Sequence, residues 1–221
     1  MRMTKALRYC SITSATTFKP GLHQLSFILT ALLSLVTAIP ETASASTRPS
    51  ITPSNMESIG GDFTLHSADG PVALHDFRGK VVLLYFGYTH CPDACPTTLS
   101  RWRGAFNSLS LHKQEQVHGI FVSVDPGRDS PELLKGYVKH FHSNIVGITG
   151  TQDELQKVVA EYRAKYSYEK VGDGAADDYA VNHSGAVYVI DPTGTVRDML
   201  TFQSSTNEIV TSIRAAMRVG Y

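Results

Sequence analysis

The sequence is poor in cysteine and carries no excess charge, and both shortages exclude classes of function. Its 221 residues include three cysteines, with 20 basic and 20 acidic residues and a formal net charge of zero. No segment is rich in lysine and arginine, so the chain lacks the electrostatic signature of a nucleic-acid-binding protein. Three cysteines are also too few for a zinc site made of four thiolates.

The chain also lacks an apolar run of the roughly 20 residues that span a bilayer comfortably as a helix. Residues 1–24 carry four basic residues and no acid, and an apolar run of 15 residues follows at 25–39. Together with the small residues at 43–45, this pattern predicts a secretory signal over residues 1–45, cleaved after Ala45. An uncleaved membrane anchor and a mitochondrial presequence are the alternatives.

Removal of the signal leaves 176 residues, which suits one domain. Cys10 would be lost with the signal, and the charge would become 16 basic against 19 acidic residues. Residues 46–58 are rich in Ser, Thr and Pro and read as a flexible leader. The folded domain is therefore predicted over residues 59–221.

Strand and helix patterns alternate along this domain. Predicted strands cover residues 63–65, 72–74, 81–86, 117–124, 186–190 and 196–201, and predicted helices cover 96–109 and 131–141. Capping residues predict further helix starts at Thr151 and Ser205. The order indicates an α/β fold with a mixed central sheet flanked by helices, and it resembles the thioredoxin fold.

Cys91 and Cys95 follow the strand predicted at 81–86 and precede a helix. A helix N-terminus stabilises an anion, so the turn should favour a thiolate. In a helical segment, a separation of four residues would put both sulfurs on one face, with the two Cα atoms about 6 Å apart. The pair could therefore bind a soft metal such as Cu(I) or close as a disulfide.

A third ligand would have to be a histidine, because no other cysteine remains after the signal. His90 adjoins Cys91, but neighbouring side chains do not face each other, so we expect it beside the site rather than in it. His183 is the better candidate, in a loop before the strand at 186–190 and at the same sheet edge. The other histidines are expected to be structural or exposed: His66, His75, His112, His118, His140 and His142.

Two common thiol enzymes of this fold fit the sequence poorly. A thioredoxin-like reductase would have Cys-x-x-Cys and a proline before the late hairpin, whereas this spacing is one residue longer and no proline lies between Lys170 and Ile190. His183 stands where that proline is expected. A peroxiredoxin would have Thr three residues before its reactive Cys, and Tyr88 and Pro92 occupy those positions.

Four ordered motifs resemble the Sco/SenC family of copper proteins. They are Gly-Tyr-Thr-His-Cys-Pro-Asp-Ala-Cys-Pro at 87–96, Val-Asp-Pro-Gly-Arg-Asp-Ser-Pro at 124–131, Gly-Ile-Thr-Gly at 147–150, and Tyr-Ala-Val-Asn-His-Ser at 179–184. The resemblance covers about residues 58–218 and implies one copper ion bound by Cys91, Cys95 and His183. It also implies that Asp93 and the loop at 124–126 surround the site. Family members usually have Asp before the ligand histidine; Asn182 here implies a less anionic site.

The family resemblance implies a metallochaperone rather than an enzyme, delivering copper to the CuA site of cytochrome c oxidase during its assembly. The partners would be the CuA-bearing subunit or other copper carriers. We expect a monomer, with or without a membrane tether, in the periplasm or at the outer face of the inner membrane; the mitochondrial inner membrane is the alternative. A thiol:disulfide oxidoreductase that reduces partner cysteines, or a copper or redox sensor, remain open as other functions.

Overall fold

The structure is a computed structural model that describes residues 59–171 and 179–219. The predicted signal (1–45) and leader (46–58) lie outside these residues. In chain order the elements are β1 (Thr64–Ser67), β2 (Gly70–Ala73), a short 3-10 helix (Leu74–Phe77), β3 (Val81–Gly87), α1 (Ala94–Asn107), α2 (Leu111–Gln114), β4 (Val117–Ser123), α3 (Pro131–Lys139), β5 (Ile145–Ile148), α4 (Gln152–Glu161), β6 (Tyr166–Lys170), β7 (Tyr179–His183), β8 (Ala186–Ile190), β9 (Val196–Thr201) and α5 (Thr206–Ala216).

A five-stranded mixed sheet in the order β5-β4-β3-β8-β9 forms the centre of the domain. β3 runs parallel to β4 and antiparallel to β8, and β4 runs parallel to β5. β1 with β2, and β6 with β7, form two separate antiparallel pairs. Since β3 and β4 are parallel, the segments that follow them leave from the same edge of the sheet. The predicted mixed sheet flanked by helices is confirmed.

Both faces of the sheet are covered, which explains why every residue of β3 is buried. On one face, Leu84 and Phe86 belong to an apolar cluster that includes Tyr162 at the end of α4. On the other face, Tyr85 packs with Trp102 of α1. Alternate β3 residues point to opposite faces, so one continuous apolar run serves both layers. Within the two described ranges, no helix is long and apolar enough to cross a membrane.

The predicted helix starts are confirmed at three positions. Ser130 accepts a hydrogen bond from the Leu133 backbone, and both Thr151 and Ser205 form complete capping boxes. α1 starts at Ala94, two residues earlier than predicted. Pro96 does not delay it, because the first four N–H groups of a helix have no partner within the helix.

Candidate metal centre

The turn between β3 and α1 carries both cysteines. Cys95 is the second residue of α1 and is fully buried, whereas Cys91 lies in the turn and is partly exposed. The predicted location of Cys91 beside a helix N-terminus is confirmed. Because Cys91 precedes the N-cap residue Asp93, the two cysteines do not lie on one helical face, and the turn itself brings their sulfurs together.

His183 is the last residue of β7, so the expectation of a loop position was wrong. β7 pairs with β6 in a hairpin where His183 lies opposite Tyr166. The Nε2 atom of His183 is 3.5 Å from Cys95 Sγ, and Nδ1 is 3.2 Å from the carbonyl oxygen of Ser184. Because a carbonyl can only accept, this contact assigns the proton to Nδ1. Nε2 therefore presents its lone pair to the cysteines.

The ligand atoms of Cys91, Cys95 and His183 all lie within 4.8 Å of one another. With metal–sulfur and metal–nitrogen bonds of about 2.3 and 2.0 Å, as in zinc sites, three ligand atoms spread evenly around one ion lie about 3.7–4.0 Å apart. Movements of about 1 Å or less would therefore close the group around an ion. In the described part of the chain, this is the one such group of three or more His, Cys, Asp or Glu side chains.

The other sequence candidates lie outside this group. The Nδ1 atom of His90 is 3.1 Å from Thr89 Oγ1 and 3.6 Å from Asp129 Oδ1, so the ring is directed beside the site, as expected. The Asp93 carboxylate is exposed and accepts a hydrogen bond of 3.2 Å from Thr97. Asp93 thus contributes its backbone at the helix start rather than a carboxylate ligand.

The two thiols differ sharply in acidity. A hydrogen bond from Cys95 lowers the pKa of Cys91 to about 3, and hydrogen bonds from the backbone of Cys95 and Asp93 act in the same direction. The same Cys91–Cys95 hydrogen bond, together with burial, raises the pKa of Cys95. The metal-free pair therefore holds one thiolate on the exposed side and one thiol on the buried side. A metal ion that binds both sulfurs must displace the Cys95 proton.

Comparisons with known proteins agree with this geometry. A sequence profile of the SCO1/SenC family matches residues 51–218. The chain belongs to this family. It is 36% identical to a SCO2-like protein of Rickettsia felis over 153 residues. The matched region covers 69% of this chain and 74% of that protein.

Solved structures of SCO1/SenC proteins have the same fold as this chain. It matches Arabidopsis thaliana ScoI with copper bound at a TM-score of 0.66 and 33% identity, over 72% of this chain and 98% of that one. It matches yeast Sco1 with copper bound at a TM-score of 0.66 and 33% identity, over 74% and 91% of the two chains. The predicted family and thioredoxin-like fold are confirmed.

Aromatic rings and a glycine form the walls of the cysteine–histidine group in this SCO1/SenC chain. The edges of Tyr85 and Tyr88 pack against the His183 ring, with centroids 5.7 and 5.8 Å away. Gly87 lies directly under the buried sulfur, since a β-carbon there would be 2.6 Å from Cys95 Sγ. The ring contacts restrict rotation of the imidazole, and the missing side chain at Gly87 makes room for the sulfur.

A set of four residues, the hairpin clamp, ties the β6–β7 hairpin to the loop after β4. It consists of Asp125, Arg128, Tyr168 and Tyr179. Arg128 bonds Asp125 at 2.6 Å and the carbonyl of Tyr179 at 2.9 Å, and its guanidinium lies 3.7 Å from the centre of the Tyr179 ring. The hydroxyls of Tyr179 and Tyr168 donate 2.6 Å bonds to Asp125 and to the Val124 carbonyl. The clamp thus holds the hairpin that carries His183.

Asn182 stands where the family resemblance leads us to expect Asp, and its side chain is exposed on β7. Neighbouring residues of a strand point to opposite faces, so Asn182 is directed away from the imidazole of His183. The lost carboxylate therefore affects the surface around the site more than the site itself.

Proposed function

We propose that this SCO1/SenC chain is a copper metallochaperone that carries one copper ion on Cys91, Cys95 and His183. The observation that carries the proposal is the convergence of two sulfurs and one imidazole nitrogen within 4.8 Å. Two thiolates and an imidazole suit Cu(I), whereas a structural zinc site normally needs four protein ligands. The copper-bound structures of ScoI and Sco1 support the same assignment.

The unequal burial of the two sulfurs suits a carrier that must release its ion. Cys95 is fully buried, whereas Cys91 is partly exposed. An incoming ligand of a recipient can therefore reach the copper on the Cys91 side while Cys95 and His183 still hold it. Copper would then pass by stepwise ligand exchange, without leaving the ion free in solution.

The proposed recipient is the CuA site of cytochrome c oxidase, during assembly of that enzyme. Other copper carriers are possible exchange partners of the same site. We propose that the mature chain, residues 46–221, acts as a monomer in the periplasm or at the outer face of the inner membrane, after export by the segment 1–45. This location would place its site on the side where an exported CuA domain folds.

A copper titration of the reduced protein tests the proposal. We expect one copper per chain, and we expect Cys91→Ser, Cys95→Ser and His183→Ala each to abolish tight binding. His112→Ala is the matched control, because it removes an exposed imidazole on α2 that lies outside the group. The wild type and the control should transfer copper to a purified CuA-bearing domain, and the three ligand variants should not. Wild-type affinity in all three ligand variants would refute the ligand set.

The free thiols favour a second candidate function, reduction of a partner disulfide. The Cys91 thiolate would attack one partner sulfur and release the other as a thiolate. Cys95 would then lose its proton, attack Cys91 Sγ, and release the second partner sulfur. Two electrons pass to the partner, and an external thiol reductant must reopen the Cys91–Cys95 disulfide. His183→Ala separates the two functions, because a reductase should keep most of its activity and a copper carrier should fail.

A further inference from the structure

A buried carboxylate lies beneath the cysteine turn, in the loop that follows β4. The side chain of Asp129 has no exposed surface. One of its oxygens accepts hydrogen bonds from the Thr89 backbone N–H at 2.8 Å and from Ser123 Oγ at 2.5 Å. The other accepts from Thr89 Oγ1 at 2.5 Å. A single carboxylate therefore binds both the main chain and the side chain of Thr89.

The position of Thr89 allows its hydrogen bonds with Asp129 to affect the cysteine turn. It lies two residues before Cys91 and directly after Tyr88, whose ring packs against His183. Within the turn, the backbone bond from Cys91 N to the Tyr88 carbonyl is long at 3.4 Å. The contacts to Asp129 are shorter and charge-assisted, so they constrain the turn more strongly.

Asp191 provides an internal comparison at the opposite edge of the sheet. It is also fully buried, and it accepts hydrogen bonds from Thr193 N, Thr193 Oγ1 and Thr195 N at 2.8, 2.6 and 3.1 Å. Asp191 stabilises the turn between β8 and β9, where none of the three metal-ligand candidates lies. Asp191 also pairs with Arg197 at 2.6 Å, whereas the basic neighbour of Asp129 is His90 at 3.6 Å. Both carboxylates hold a turn, but only the turn held by Asp129 carries a ligand candidate.

We propose that Asp129 is a positioning residue for Cys91. By bonding both polar groups of Thr89 it fixes the start of the cysteine turn, and so sets the spacing of the Cys91 sulfur from Cys95 and His183. That spacing controls two properties: the affinity of the group for copper and the ease with which the Cys91–Cys95 disulfide forms. The copper property rests on the proposed function, whereas the disulfide property does not.

Three substitutions test this role against a purely structural one. Asp129→Asn replaces one acceptor oxygen by a donor, and Thr89→Val removes the hydroxyl while keeping the shape of the side chain. Asp191→Asn is the matched control for loss of a buried carboxylate. Each variant is compared with the wild type by urea unfolding, by the equilibrium of the metal-free disulfide in glutathione buffers, and by Cu(I) competition against bicinchoninate.

We expect Asp129→Asn and Asp191→Asn both to lower stability. Only Asp129→Asn and Thr89→Val should change the disulfide equilibrium constant, by about threefold or more, and weaken Cu(I) binding by about tenfold, which is about 1.4 kcal/mol. Thr89→Ser keeps the hydroxyl and should behave like the wild type. The double variant of Asp129 and Thr89 should lose less than the sum of the two single variants, since both disturb the bond between the Thr89 hydroxyl and Asp129.

The proposal is overturned if Asp129→Asn lowers stability but leaves the disulfide equilibrium and the copper affinity at wild-type values, as Asp191→Asn should. If Asp129→Asn does not fold, Thr89→Val against Thr89→Ser decides the question by the same measurements. A wild-type protein that fails to bind copper would refute the proposed function. The metal-free disulfide equilibrium would still test the positioning role.

Discussion

Substitution of Gly87 by alanine tests the packing under the candidate metal centre. The added β-carbon would lie 2.6 Å from Cys95 Sγ and 2.8 Å from Cε2 of Phe121. Unstrained contacts between such atoms are about 3.5–4.0 Å, so the sulfur or the ring must move by roughly 1 Å. Both side chains are fully buried, which leaves little room for the movement.

The expected cost follows from this overpacking. Forcing an extra carbon into a filled core typically costs about 1–3 kcal/mol. Movement of Cys95 Sγ by roughly 1 Å also spoils the three-ligand geometry, because metal–ligand bond lengths tolerate changes of only about 0.2 Å. We therefore expect Gly87→Ala to lose about 1–3 kcal/mol of stability and to bind copper at least about tenfold more weakly.

Urea unfolding of the metal-free protein and Cu(I) competition measure these two effects separately. Gly136→Ala is the control, because Gly136 lies in α3 and a β-carbon there meets nothing within 4 Å. It should gain about 0.5–1 kcal/mol from the better helix propensity of alanine and leave copper binding unchanged. Wild-type stability and copper affinity in Gly87→Ala would refute the packing account.

Three further predictions concern residues around the sheet and the hairpin. Burial and the neighbouring Lys80 lower the pKa of His118 to about 4. The unfolded chain therefore binds the proton more readily than the folded one, and the free energy of unfolding decreases as the pH falls from 6.5 towards 4. His118→Gln should therefore reduce the loss of unfolding free energy between pH 7 and pH 5 by about 2 kcal/mol; an unchanged pH profile would contradict this. Arg128→Lys cannot reproduce the guanidinium contacts with Asp125 and Tyr179. We therefore expect faster hydrogen exchange in β6 and β7 and about tenfold weaker copper binding. Unchanged exchange in the hairpin would argue against the clamp. Asn182→Asp should change copper affinity by less than about threefold, since the side chain is directed away from His183, and a larger gain would show that it reaches the site.

The sequence predicted four of the five central strands, which are apolar, and the helix starts that have strong caps, but it did not predict the four-residue strand β5. β3 is a continuous buried run, and the hydroxyl caps at Ser130, Thr151 and Ser205 form as expected. The β6–β7 hairpin was missed, although it carries His183. Its residues are mostly exposed or half-buried, so the apolar alternation that identifies a strand is absent.

The candidate ligands could be predicted, but the residues that hold them could not. Residue type and spacing identified Cys91 and Cys95, and both the expected position at the same sheet edge and the family resemblance pointed to His183. Asp129 reaches Thr89 because β3 and β4 end at the same sheet edge. Arg128 joins the loop after β4 to Tyr179 of the hairpin, and Gly87 lies against the Cys95 sulfur. All three residues lie in the motifs of the sequence, yet spacing alone does not reveal which atoms they contact.

The most direct test of the central claim is Cu K-edge X-ray absorption of the reduced protein loaded with copper, in the wild type and in His183→Ala. We predict one copper per chain, with two sulfur ligands and one imidazole nitrogen in the wild type, and loss of the nitrogen in the variant. A copper ion not bound to two sulfurs, or a spectrum unchanged by His183→Ala, would contradict a copper site formed by Cys91, Cys95 and His183.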